Sequence, residues 1–435
     1  MIYKKIFFPL FVTYLFCNIS TINAQDEYVK DDNLLRNHDF IYLEDINTVN
    51  FYPLNSPLGY PIIALNNGSR LELTFDDLTE DVRDYQYEII HCNADWQPSQ
   101  LNEMDYLDGF NMEVITEYEF SFNTLTNYIN YRLIFPNQNT KVTKSGNYLM
   151  HVFEDGDREL PILTRRFQVA ERSMQIVAGL SRTGSVSKGR THQEIDFIIN
   201  HKGINISNPH TDVKVVVTQN GRWDNAIKDL KPLFIREEQL VYDFQDKVVF
   251  PAGKEFRNFN TQSLQYRTER VARIIEDRVD KYHVELLTEK PRTSTNYSFF
   301  NDLNGKYVIE NDDDNGSSRI RADYAWVHFS LTKSLPFDDA EVYIFGKMTD
   351  WAIQDQFKLR YIEGRKMYRA KVFLKQGYYD YQYAYVKGAG SKPKLGEIEG
   401  DWHETENDYH IFVYYRPPGG RYDRLVAVDL LNSNQ

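Results

Sequence analysis

Residues 91–110 read HCNADWQPSQLNEMDYLDGF and hold one histidine, one cysteine, one tryptophan and four carboxylates. What precedes the stretch decides whether it is an active site or a corner of a fold. Tyr85, Tyr87 and Ile89 alternate along an extended segment. His91 continues their face and Cys92 falls on the other, because neighbours on a strand point to opposite sides of the sheet. A cysteine nucleophile needs a histidine within hydrogen-bond reach, which strand neighbours do not provide for each other. Cys92 therefore reads as a small buried apolar group. Asp95, Glu103, Asp105 and Asp108 stand beside Pro98, Gly109 and asparagines, the company kept by turn and capping carboxylates. A glycosidase pair would need two of them to face each other, and their order along the chain shows no convergence. The stretch is read as a strand end, an anchor at Trp96, a polar crossing and a return at Tyr106 to Phe110.

Alternation of this kind runs through the whole chain. Leu71, Leu73 and Phe75 share a face, as do Tyr118, Phe120 and Phe122, and then Ile129, Tyr131, Leu133 and Phe135. Later sets are Ile195, Phe197 and Ile199, then Val213, Val215 and Val217, the last ending at the turn Asn220-Gly221. No apolar spacing of helical period lasts twelve residues. With 435 residues, one core is too small to organise the chain. The fold expected is all-β: three consecutive β-sandwich, immunoglobulin-like domains at 25–170, 171–310 and 320–435. The aromatic content of 14% suits sheets.

Residues 1–24 carry the marks of a signal peptide: Lys4 and Lys5, an apolar run from Ile6 to Phe16, and Ala24 before Gln25. That run is too short to span a bilayer, and no later stretch is apolar enough to do so. An exported, soluble protein without a membrane span is expected. Beyond the leader Cys92 stands alone, so no intrachain disulfide is expected. A net charge of −13 disfavours nucleic acid as a partner.

No catalytic, cofactor-binding or metal-binding residues are assigned. Asn311, Asp313, Asn315 and Gly316 match early positions of a calcium loop, but Ala322 stands where a bidentate glutamate is needed, so a solvated linker is expected. Zinc spacing, a phosphate loop and a nucleophile elbow are missing from the sequence. Gly346, Trp351, Trp402 and the run Lys375-Gln376-Gly377-Tyr378-Tyr379-Asp380-Tyr381-Gln382-Tyr383 resemble the glycogen- and starch-binding sandwich modules. That resemblance implies sugar stacking by Trp351, Tyr383 and Trp402, and an exported carbohydrate-binding protein as the alternative function. The competing account is that the tyrosines fill a small sandwich core.

A wider resemblance spans about Tyr28 to Leu430. It rests on His91 to Trp96, Tyr106 to Phe110, Phe135-Pro136-Asn137, Ser145 to Tyr148 and Thr164-Arg165-Arg166-Phe167. It continues with Gln219 to Asp224, Glu255-Phe256-Arg257, Asp302 to Tyr307, Ala322 to Ala325 and the Lys375 hairpin. Together these resemble the plug proteins of the type IX secretion system of Bacteroidetes. The resemblance implies a non-enzymatic periplasmic protein, a monomer within a larger complex. Its partner would be the outer-membrane translocon barrel, whose periplasmic opening it would occlude. It implies no cofactor.

Overall fold

The computed structural model describes residues 34–434 except 278, 280 and 389. The leader expected over 1–24 lies outside the described residues. Strands dominate, and the three α-helical pieces, Glu103–Tyr106, Pro209–Asp212 and Ser318–Arg321, are single turns. Among the described residues no helix is long and apolar enough to cross a membrane.

The first sandwich packs two sheets face to face. One orders Ile46–Pro53, Leu71–Asp77, Ile129–Phe135 and Glu117–Phe120. The other orders Phe40–Ile41, Asp157–Ala170, Gly146–Glu154, Tyr85–Cys92 and Glu113–Val114. Alternation sends Leu71, Leu73 and Phe75 inward against Tyr85, Tyr87 and Ile89. Phe75 and Tyr131 stack at 5.2 Å, and Tyr85 meets Tyr131 edge-on at 4.8 Å. Each such buried ring contributes roughly 1.5–3 kcal/mol by leaving water.

The other two units are all-β as expected, but the chain does not fill them consecutively. Arg257–Asn260, Val271–Asp277 and Lys281–Leu286, assigned by sequence to the middle unit, join the last unit's sheet beside Gly377–Val386 and Tyr324–Thr332. Conversely, Asp408–Tyr415 returns to the middle unit and pairs with Val213–Gln219, and Arg424–Asn432 pairs with Asp408–Tyr415 on its other side. The reason is physical: alternation marks a strand but does not name its partner. The returning sheet is buried on both faces. Val213, Val215, Val217, Ile411 and Val413 fill the middle core. Val216, Phe412 and Tyr414 pack against Ala94 and Ala170 of the first sandwich.

Polar contacts fix the units to one another. Lys375 Nζ lies 2.5 Å from Asp76 Oδ2, with both side chains buried, and Tyr324 OH donates to the same oxygen at 2.7 Å. Arg165, 2% exposed, meets Asp350 at 3.0 Å. The Ala94 amide donates to Asp423 Oδ2 at 3.0 Å, and Tyr414 OH to Asn147 Oδ1 at 2.8 Å.

Candidate functional site at the junction of the three units

His91 and Cys92 lie on opposite faces of Tyr85–Cys92, as alternation requires. His91 is held between Ser99 Oγ at 2.9 Å and Ser145 O at 3.2 Å. Burial pushes its pKa down to about 4. Cys92 is buried beside Trp96 and Leu149, and burial pushes its thiol up to about 12. A protonated thiol is a poor nucleophile. Asp105 accepts from the Asn102 amide at the start of its helical turn and meets Arg421 at 3.0 Å. Asp95 caps the Gln97 amide at 3.1 Å. Glu103 and Asp108 face solvent.

The loop at Asn311 is docked through Asn311, Asp313 and Asp314, while Asp312 and residues 315–317 face solvent as expected. Asn311 is buried and donates to Arg321 O at 2.5 Å, Asp313 accepts from the Leu264 amide at 2.8 Å, and Asp314 pairs with Arg321 at 2.7 Å.

The three residues proposed for sugar stacking do not form one platform. Tyr383 is fully buried in the core of the last unit, with the Arg257 guanidinium 5.1 Å above its ring. Trp402 is half-buried and parallel to Tyr297 at 6.1 Å. Trp351 is half-buried against Phe345 and Phe256, at 5.5 and 6.0 Å. Its seat needs a glycine at 305: the φ there is +79°, and a Cβ would lie 2.3 Å from Trp351 Cη2.

Trp351 instead forms part of the wall of a cavity of about 310 Å³ to which all three units contribute. The first unit supplies Tyr60, Arg166 and the Asp39 segment; the middle unit supplies Thr218, Trp223 and His410; Lys306, Tyr307, Lys347 and Asp350 complete it. Arg166 stands over Trp96 and Trp223 at 5.1 and 5.5 Å, and Lys306 Nζ lies 3.8 Å above the Tyr60 ring. Asp39 accepts from the Arg166 amide at 2.7 Å and faces Lys347 at 3.5 Å. Against the effect of its burial, Lys347 and Arg166 hold the Asp39 carboxyl well below the usual range. Gly221, with φ +70°, lets Tyr60 close over the cavity: a Cβ would lie 2.5 Å from Tyr60 Cε1.

Sequence reasoning did not assign this site. The signal was present in the motif pieces, since Thr164 to Phe167, Gln219 to Asp224 and Asp302 to Tyr307 each send residues to its wall.

No curated protein matches the chain. A crystal structure of a hypothetical protein from Parabacteroides merdae ATCC 43184 is similar, with a TM-score of 0.87 and 36% identity, over 92% of this chain and 100% of that one. Residues 46–171, which span the first sandwich from Ile46–Pro53 to Asp157–Ala170, match the family model described as type 9 secretion system plug protein 1st domain. That match falls on the unit carrying the His91–Phe110 corner and the Arg165-Arg166 strand, and the chain belongs to the type 9 secretion system plug protein family.

Proposed function

We propose that the protein is a non-enzymatic periplasmic component of the type IX secretion system. In this role it binds the outer-membrane translocon barrel and occludes its periplasmic opening. The observation that carries this reading is the interlocked body. Three sandwiches joined by buried ion pairs and exchanged strands resist bending, and a stopper must be rigid and wider than the mouth it covers. A single sandwich is about 25–40 Å across.

The partner-facing surface also needs apolar contacts that are free in the unbound protein. Leu233, Phe234 and Ile235 are 46%, 57% and 49% exposed. They lie on and beside Phe234–Arg236, the outer strand of the middle unit's sheet. Apolar residues on both faces of an edge strand are a hazard unless something covers them. In this reading the barrel covers them.

Deletion of the gene tests the occlusion. The expected result is an assembled translocon that admits a small impermeant dye. Unchanged permeability in the deletion strain would overturn the reading.

A further inference from the structure

The walls of the junction cavity hold hydrogen-bond donors without acceptors. Arg166 Nε has no hydrogen-bond partner, and the Asp39 carboxylate oxygen that faces it is 3.6 Å away. Lys306 Nζ makes one hydrogen bond, to Leu58 O at 2.9 Å, with Asp408 at 4.0 Å. Thr218 Oγ1 and His410 Nδ1 have no partner, although the two residues are 1% and 2% exposed. They face each other across paired strands and both line the cavity. Buried donors left unmade are costly, and groups of this kind in native proteins are normally satisfied.

The acids nearby are already committed. Asp350 meets Arg165 at 3.0 Å and Lys347 at 3.1 Å, and Asp224 holds Arg222 at 2.6 Å. Asp39 is shared between Lys347 at 3.5 Å, the Arg166 amide at 2.7 Å and, more distantly, the Arg166 guanidinium at 3.6 Å. Of the cations that line the cavity, Lys347 is held at 3.1 Å by Asp350, whereas Arg166 and Lys306 have their nearest carboxylates at 3.6 and 4.0 Å, beyond hydrogen-bond reach. Burial lowers the Arg166 pKa, and Asp39, Asp350 and Asp224 act against it. Burial brings His410 to about 4, so its ring is neutral at pH 7 and has a proton to donate in one tautomer. Beside these donors, Tyr60, Trp223 and Phe412 present apolar ring surface.

We propose that this cavity binds a carboxylate carried on an apolar or aromatic body, about the size of one terminal amino-acid residue. Arg166 and Lys306 receive the carboxylate, Thr218 and His410 complete its hydrogen bonds, and Trp223 and Phe412 pack against the body. A cavity of about 310 Å³ is at the small end for ligand sites, which run from roughly 300 to 1,000 Å³. The proposal does not depend on the occlusion reading.

Calorimetric titration of the full chain tests it, with N-acetyl-L-phenylalanine, its neutral amide N-acetyl-L-phenylalaninamide, and 3-phenylpropanoate. The acid is expected to bind at 1:1 and at least about tenfold more tightly than the amide, the usual margin of a charge-assisted hydrogen bond. Weaker binding of 3-phenylpropanoate would identify a peptide terminus as the source; equal binding would identify a small free acid. Arg166→Gln should abolish the preference for the acid. Because Arg166 also supports the junction, Thr218→Val, nearly isosteric, provides the second variant and should weaken acid binding about threefold to tenfold. Equal affinity for acid and amide, no saturable binding of the acid, or unchanged acid binding in a folded Thr218→Val protein would each overturn the proposal.

Discussion

Lys375 shows what a single side chain can hold. Its ammonium is buried between units, on Asp76 at 2.5 Å and the Arg319 carbonyl at 2.7 Å, with the Tyr128 ring 4.0 Å away. Removing one member of a buried pair strands the other's charge. Lys375→Met is expected to cost about 3–5 kcal/mol, read from urea unfolding; an unchanged midpoint would contradict this account. Cys92 gives the opposite case. Cys92→Ala removes one atom from an enclosed site and should cost about 1 kcal/mol, with the dye barrier intact in cells. Loss of the barrier in a folded Cys92→Ala protein would restore a functional thiol. These residues also mark what the sequence made legible. The period of two was enough to separate His91 from Cys92. Lys375 was legible as part of a hairpin, but its partner Asp76 lies 299 positions away, and no local spacing reports such a pairing. Trp351, Tyr383 and Trp402 were grouped by motif, yet motif order does not say which ring a core will take.

At the scale of elements, the turn from Asp302 to Tyr307 collects carboxyls that hold their protons. Burial raises Asp380 to about 8, with Asp302 adding to it, and burial brings Glu255 to about 7 and Asp302 to about 6. For acids raised in this way the folded state binds more protons than the unfolded chain. Their contribution is therefore full below about pH 4 and is lost as pH rises through 6, 7 and 8. Glu399 acts in the other direction: against its burial, Arg292 and Arg257 hold it at about 2, so its contribution is lost only as pH falls through that value. Stability is expected to decline between about pH 7 and pH 8, above the range in which His91 and His410, held near 4 by burial, add stability as pH rises; Asp380→Asn should flatten that decline, as followed by thermal unfolding across pH. A rise over that range would refute the assignment. The outer strand Phe234–Arg236 carries a separate expectation. Phe234→Glu should cut recovery of the barrel in a pull-down from solubilised envelope, with the thermal midpoint unchanged; undiminished recovery would move the interface elsewhere. Most of the longer strands were legible from alternation, whereas Gln175–Ser181, Gln239–Tyr242 and Arg257–Asn260 were not. The exchange of strands between units was not, because Val213–Gln219 would accept any apolar neighbour of matching register until the packed structure selects one.

Across the whole molecule, the contacts between units are mostly buried, and salt screens buried pairs far less than exposed ones. The radius of gyration in solution is therefore expected to stay constant between 0.05 and 1 M salt, measured by small-angle scattering. Expansion at high salt would mean hinged units and would weaken the case for a rigid stopper. The family itself was legible because its motif pieces are spread along the chain, and the structure explains the spread: several of them are the residues at which units meet.

The return of Asp408–Tyr415, with Arg424–Asn432 paired on its other side, to Val213–Gln219 also sets an order in time. The middle sandwich cannot close until strands about 190 residues further along the chain have arrived, and closing so long a loop slows folding. As the chain emerges during synthesis, therefore, the first sandwich can form early, while the middle one waits with apolar strands uncovered. A chain cut short before Asp408 would keep that surface exposed and invite proteolysis, so the middle core closes only when the strands from both ends of its loop are present.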